Sequence, residues 1–338
     1  MTGAPGERPP RTGRHAPARS ADPHRVVPPA PATIDLHTHT LRSDGILTPA
    51  ELVTAAVDAG VRTLAITDHD TLAAYRELIA AGRVPGSLQL VPGVEINALV
   101  NRDLGLWEGE LHILGFGMDP DDEAFEAALA AQRGERRTRF IRTVERLRDI
   151  GLPIDAQLAP VVSGNDDALG RPTIARALVA AGHAASVEDA FDRIIGHGKP
   201  GYVRRGGLGP EAAIAAIRAA GGVPVLAHFR EAPTRPDILR DLISVGLAGL
   251  EVHYRTFDAP TTEAVAAVAA DLRLLGTGGT DYHGDLGPYA AAHAELWVPP
   301  AVGGALASAI ELARRAWRSG RASPHAPRRR TPGGRGAA

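Results

Sequence analysis

Two histidines one residue apart, His37 and His39, flank Thr38 just after a short apolar run. Alternate residues of an extended segment point to the same side, so two imidazoles at this spacing can grip one cation. The same association of an apolar run with a ligand-competent residue recurs along the chain. His69 follows the run Val61 to Thr67, Glu95 lies near the end of Leu88 to Ile96, and His112 opens Leu111 to Phe116. His228 closes Val223 to Ala227, His253 closes Leu247 to Val252, and Asp281 with His283 follows Leu272 to Thr277. Taken singly, each has a plain structural reading: a histidine at a strand end bonds locally, and Asp70 in Asp68-His69-Asp70 caps the next helix. Glu95 resists that reading, because a buried carboxylate without a partner is costly and a bridging metal would stabilise it.

What is absent narrows the chemistry. The 338 residues contain no cysteine, which excludes disulfides, thiolate-held zinc or iron–sulfur clusters, and a cysteine nucleophile. One lysine is present, Lys199, and Pro200 follows it, so neither a phosphate loop of the GK[ST] type nor several Schiff-base schemes can be built. Any metal must sit on His, Asp and Glu.

The elements that must position these residues read as α/β, with short apolar runs alternating with Ala-rich helical patterns around a parallel sheet or barrel. Thr48-Pro49-Ala50-Glu51 predicts a capped helix over 49–59, and further helices are expected at 71–81, 210–220, 236–245, 261–271 and 303–318. Seven strands are expected, the first at Ile34 to Leu36. Parallel barrel strands share one face at their C-terminal ends, and catalytic residues are drawn from several of those ends. Nearly every expected strand delivers a ligand there. His112 alone opens its strand, so either that strand begins earlier or it stands outside the regular order. Between 121 and 203 the rhythm turns helical, with helices expected at 122–150, 172–181 and 187–195, which reads as an insertion between barrel parts 33–120 and 204–318.

The formal charge of -2 is unevenly spread. Residues 1–32 and 319–338 carry +3 and +5, so the body between them holds the compensating -10. Pro, Gly and Arg dominate both ends, which are expected to be disordered, solvated tails, with contact to nucleic acid as the alternative. No run of eighteen apolar residues and no apolar leader is visible, so no membrane association and a cytoplasmic location are expected.

Six runs in order carry a resemblance: Asp35-Leu36-His37-Thr38-His39-Thr40 with Ser43-Asp44-Gly45, Thr67-Asp68-His69-Asp70-Thr71, Pro92-Gly93-Val94-Glu95, Leu111-His112-Ile113-Leu114-Gly115, Ala227-His228 and Gly279-Thr280-Asp281-Tyr282-His283-Gly284. Together they resemble the PHP (polymerase and histidinol phosphatase) superfamily over roughly 33–300. Gly170-Arg171-Pro172 and Gly196 to Val203 are similar to the branch of bacterial nucleoside-3',5'-bisphosphate phosphatases that also trim RNA from its 5' end. The resemblance implies a distorted (β/α)7 TIM-like barrel with an inserted helical subdomain and three divalent ions. One ion would take His37, His39, Glu95 and Asp281, a second Glu95, His112 and His228, and a third Asp44, His69 and His283. Such shells of nitrogen and oxygen suit Mn, Zn or Fe. The implied reaction is hydrolysis of a phosphate monoester by a metal-activated water, with Asp281 among the catalytic residues. Arg171 would hold a substrate phosphate or else pair locally, and His253 would contact phosphate, protonate the leaving oxygen, or serve as a structural hydrogen-bonding residue.

Two departures bear on the substrate: Thr173 stands where the branch often has His, and Phe229 where it often has Pro. A nucleotide or a short oligonucleotide end is the expected substrate, with another small phosphate ester, or RNA guided by the basic tails, as alternatives. Aromatic residues are only 4%, leaving no evident stacking platform for long single strands. An amidohydrolase reading is disfavoured, since the single lysine lies far from any strand end. A non-catalytic role is disfavoured by the intact ligand set.

Overall fold

The structure is a computed structural model that describes residues 31–100, 110–162, 170–284 and 287–321. Strands β1 (Ile34–Asp35), β2 (Thr63–Ile66), β3 (Gln89–Leu99), β4 (Glu110–Phe116), β5 (Val223–Leu226), β6 (Gly249–Tyr254) and β7 (Leu275–Gly279) lie side by side in sequence order. Leu36 N–H donates to the Gly278 carbonyl and Asp281 N–H to that of His37, bringing β7 back against β1 and nearly closing a barrel. Asp35 reinforces this seam, accepting from Thr280 N–H, Thr280 Oγ1 and Tyr289 Oη at 2.7–2.9 Å. The architecture is the expected α/β TIM-like barrel, with one irregularity. β4 is antiparallel to both β3 and β5, while the other neighbouring pairs are parallel.

That reversal resolves the position of His112. Because β4 runs backwards, its beginning lies at the rim where the other strands end. Side-chain alternation does the rest. Val91, Gly93 and Glu95 share one side of β3, and Phe116, Leu114 and His112 one side of β4. Val91, Leu114 and Phe116 belong to the apolar cluster that also holds Ile34, Val223 and Val225, so the polar residues rise from the same side as an apolar floor.

Helices surround the sheet: α1 (Pro49–Asp58), α2 (Ala73–Ala80), α3 (Glu123–Asp149), α4 (Asp155–Val162), α5 (Arg171–Ala180), α6 (Val187–Ala190), α7 (Pro210–Ala219), α8 (Pro236–Ser244), α9 (Ala259–Asp271), α10 (Tyr289–His293) and α11 (Ala301–Arg321). The capping box expected at Thr48 and Glu51 opens α1. The helix expected over 187–195 divides into α6 and a π-helical turn at Phe191–Ile195. Helices α3 to α6 and this turn carry a core of their own, including Phe140, Leu147, Ile154, Ile174, Leu178 and Ile194. β7 starts three residues later than expected. Leu272 caps α9, and Arg273 turns the chain at φ 57° so that Leu274 N–H returns to the Ala269 carbonyl. The helix end thereby claims the apolar residues that had resembled a strand.

Most of the two expected tails lies outside the described residues. Ala32 is nevertheless fully buried, its carbonyl 2.9 Å from His293 Nε2, and α11 runs on to Arg321, so the ordered body extends past both expected boundaries. Among the described residues no helix is long and apolar enough to cross a membrane.

Candidate metal centre

The strand rims bring six imidazoles and three carboxylates into three adjoining groups, each with its ligand atoms within 4.8 Å of one another: His37, His39, Glu95 and Asp281; Glu95, His112 and His228; and His39, Asp44, His69 and His283. His37 and His39 do point the same way, because Thr38 between them is pinned by its Oγ1 to the Ala65 carbonyl at 2.9 Å. Asp44 is brought back over His39 by a tight loop. Gly45 permits that loop, since a Cβ there would meet the His39 carbonyl oxygen at 2.5 Å. Asp68 fixes the same loop, accepting from Thr40 N–H, Thr40 Oγ1 and Ser43 Oγ at 2.6–2.7 Å.

Glu95 sits at the junction. Its Oε2 lies 3.4 Å from His37 Nε2, 3.2 Å from His39 Nε2 and 3.2 Å from His69 Nδ1. Its Oε1 lies 2.9 Å from His112 Nδ1 and 3.4 Å from His228 Nε2. Asp281 Oδ1 approaches His37 Nε2 and His39 Nε2 at 3.2 and 3.1 Å. Asp44 Oδ1 is 3.2 Å from His283 Nε2.

Burial disfavours the Glu95 carboxylate, but His37, His69 and His112 outweigh it and hold its pKa well below the ordinary range. Burial likewise opposes a charged His283, yet Asp44 and Asp281 raise it to about 10. Burial prevails at His69, which is pushed well below its usual value. The donor set fits divalent metals on a further observation. His37 Nε2, His39 Nε2, His69 Nδ1, Glu95 Oε1, Asp281 Oδ1 and both Asp44 carboxylate oxygens are buried without a hydrogen-bond partner among the described residues. Orphaned buried polar atoms are costly, and a shared cation satisfies them together. The closest contacts also match the roughly 3.3 Å edge of a tetrahedral shell built on ligand bonds of about 2.05 Å.

The groups open on a cavity of about 400 Å³. Asp44, His69, Glu95, His112, His228, Asp281 and His283 line one part of it, and Arg136, Arg139, Arg171 and Arg205 line another, with Phe140, Ile174 and Phe191 beside them. Arg171 is thus brought to the cavity, 3.5 Å from Glu110 and with its guanidinium 5.4 Å from the centre of the Phe191 ring. Glu110 also holds Arg139 at 2.8 Å, and Asp70 holds Arg136 at 2.9 Å. Asp70 therefore does not cap the following helix, whose first N–H, that of Ala73, is accepted by Thr71 Oγ1 at 3.1 Å, and instead anchors an arginine of α3. Burial disfavours the Glu110 carboxylate, but Arg171, Arg139 and Arg205 hold it charged, far below its usual pKa.

His253 is not brought to the cavity. In a regular strand it would share a side with Glu251, but β6 is bulged between these two residues, and Tyr254 takes the cavity position instead. Thr173 is buried and does not line the cavity, whereas Phe229 does. Sequence reasoning missed Glu251 and Tyr254, as well as the arginines of α3 and Arg205. Glu251 carried the signal that singled out Glu95: a lone carboxylate in an apolar strand.

A barrel whose rim gathers nitrogen and oxygen ligands into adjoining groups over an arginine-lined cavity defines a metal-dependent hydrolase. The family profile of the PHP domain matches residues 35–199. The 5'-3' exoribonuclease Rnm of Salmonella typhimurium is 36% identical, the match covering 80% of this chain and 91% of that protein. The 3',5'-nucleoside bisphosphate phosphatase of Chromobacterium violaceum is 32% identical, over 75% of this chain and 87% of that protein. A crystal structure from Bifidobacterium adolescentis, described as that of a metal-dependent phosphoesterase, superimposes with a TM-score of 0.71 at 35% identity, covering 83% of this chain and 97% of that one. The chain belongs to the PHP family, as a metal-dependent phosphoesterase.

Proposed function

We propose that the protein hydrolyses the phosphoryl ester at the 3' oxygen of a nucleotide that also carries a 5'-phosphate, either a nucleoside 3',5'-bisphosphate or the 5' end of a short oligonucleotide. The two substrates present the same pair of phosphorus centres, and they match what the relatives from Chromobacterium violaceum and Salmonella typhimurium are named for. The observation that carries the reading is the arginine group in the same cavity as the ligand groups. Arg139 Nη2 and Arg205 Nε are buried and have no hydrogen-bond partner among the described residues. Donors left in that state call for a multiply charged acceptor, and a phosphate supplies one.

His37, His39, Glu95 and Asp281 would hold one divalent ion, Glu95, His112 and His228 a second, and Asp44, His69 and His283 a third. Mn, Zn and Fe all suit these donors. When bound, such ions lower the pKa of water and neutralise charge developing at phosphorus. The protein's part is to orient. Arg139, Arg171 and Arg205 fix the non-reacting phosphate, while Phe140, Phe191 and Ile174 offer apolar surface to the nucleoside. Phe229, where the related branch often has Pro, adds bulk to the wall near His228. A cytoplasmic setting, where nucleotides are supplied, agrees with this reading.

Phosphate release from adenosine 3',5'-bisphosphate by Mn-loaded protein, with Asp281→Ala as the blank, tests the proposal. Release by the wild type alone supports it. No release from protein shown to hold its metals would overturn the choice of substrate.

A further inference from the structure

Behind the ligand groups, β6 presents Glu251, a fully buried carboxylate that belongs to none of them. Both of its oxygens are engaged. Oε1 lies 3.0 Å from Nδ1 of His37, and Oε2 accepts from the main-chain N–H of His228 at 2.8 Å. A carboxylate only accepts, so Nδ1 of His37 carries a proton, which makes Nε2 the nitrogen that would offer its lone pair to a cation in the ligand group. That Nε2 is 3.4 Å from Glu95 Oε2 and 3.2 Å from Asp281 Oδ1. His228, for its part, adopts φ 31°, a conformation that side-chain-bearing residues rarely take without support. Its N–H bond to Glu251 supports that turn, which carries His228 Nε2 to within 3.4 Å of Glu95 Oε1. The same strand braces a third ligand, since Tyr254 Oη donates to Asp281 Oδ2 at 2.9 Å and leaves Oδ1 for His37 and His39.

We infer that Glu251 is the positioning residue of the metal centre, fixing the tautomer of His37 and the main chain of His228 so that one buried carboxylate sets the geometry of two ligand groups at once. This rests on the reading above that these groups hold metals. An outer carboxylate behind a ligating histidine orients the ring and raises its basicity, and losing it typically weakens metal binding about ten- to a hundredfold. Glu251→Gln offers an acceptor to only one of the two groups, its NH2 facing either the His228 N–H or His37 Nδ1. Glu251→Ala removes both bonds.

The test titrates wild type, Glu251→Gln, Glu251→Ala and Glu95→Ala with buffered Mn2+, measures bound metal per chain, and reads the His37 tautomer by 15N NMR of histidine-labelled protein loaded with diamagnetic Zn2+. The expected result is wild-type stoichiometry at saturating Mn2+ in Glu251→Gln, an affinity about tenfold weaker, a mixture of His37 tautomers, and a larger loss of affinity in Glu251→Ala. Circular dichroism separates that loss from unfolding, and Glu251→Gln alone decides the matter if Glu251→Ala does not fold. Wild-type affinity and a single tautomer in Glu251→Gln, with metal lost from Glu95→Ala, would overturn the inference and leave the metal centre standing. Full metal in Glu95→Ala would overturn both.

Discussion

Oε1 of Glu95 lies 2.9 Å from Nδ1 of His112, although the first residue stands in the middle of β3 and the second near the beginning of β4. The antiparallel pairing of these strands makes the contact. With Glu95 opposite Leu114 and Asn97 opposite His112, the two side chains project from the same side, two positions apart along the pair. A regular parallel strand would have placed His112 at the far end of the barrel.

Glu95 joins two ligand groups through its two oxygens, whereas Asp44 serves one. Glu95→Ala is therefore expected to release more than one metal per chain, and Asp44→Ala no more than one. Metal-assisted charge stabilisation is worth several kcal/mol, and losing ~4 kcal/mol slows a reaction about a thousandfold. Elemental analysis of both variants beside their initial rates checks the order. Equal metal loss in the two would remove the bridging role.

Much of this site was legible because most of its ligands adjoin an apolar run, and a barrel brings such ends together whatever the loops between them do, whereas Asp44, carried on a loop between β1 and α1, was marked only by the family resemblance. Other parts depended on details that residue order conceals. Nothing in Leu111-His112-Ile113 announces a reversed strand, although the misplaced histidine was its symptom. The bulge in β6 exchanged His253 for Tyr254, a one-residue change of side that a period of two cannot anticipate. Arg136 and Arg139 sit on a helix rich in arginine, and the residues facing the cavity could not be told from those facing water until α3 was laid against the barrel.

The arginine group should act on binding more than on chemistry. Arg139 is lowered to about 10 by burial and by Arg171, with Glu110 opposing, which still leaves it charged at neutral pH. A hydrogen bond to a charged group is worth about 1.5–3 kcal/mol, so Arg139→Met or Arg205→Met should raise KM for a bisphosphate roughly ten- to a hundredfold. A substrate with a single phosphate should be affected far less. Steady-state kinetics on adenosine 3',5'-bisphosphate and 3'-adenosine monophosphate provide the contrast, and equal changes on both would show that these arginines do not read the second phosphate.

Thr173→His, expected from sequence to alter substrate preference, has a different expected outcome in the folded protein. Thr173 is buried outside the cavity, and its Oγ1 lies 3.4 Å from Arg176 Nη2, which also donates to the Asp44 carbonyl at 3.2 Å. A larger ring there overpacks the helix contact at a cost of about 1–3 kcal/mol and disturbs the loop that carries Asp44. Thermal unfolding and metal content should change before the ratio of rates on competing substrates does. An altered ratio in a variant of unchanged stability would restore the role in specificity.

His253 supplies a test in acid. Burial alone lowers it to about 4, whereas in an unfolded chain an imidazole titrates near 6.5. Between these values the unfolded state binds more protons than the folded one, so stability is full above about pH 6.5 and falls as the pH drops towards 4. The difference corresponds to about 3 kcal/mol at most. His253→Gln should flatten this part of the profile, measured as the wild-type minus variant difference in denaturant midpoint on metal-free protein from pH 8 to 4. Subtraction removes the contribution of the clustered histidines, which titrate in both proteins. The pH dependence of kcat should be unchanged, because His253 does not line the cavity. A shifted kcat profile together with parallel stability curves would return His253 to the catalytic machinery.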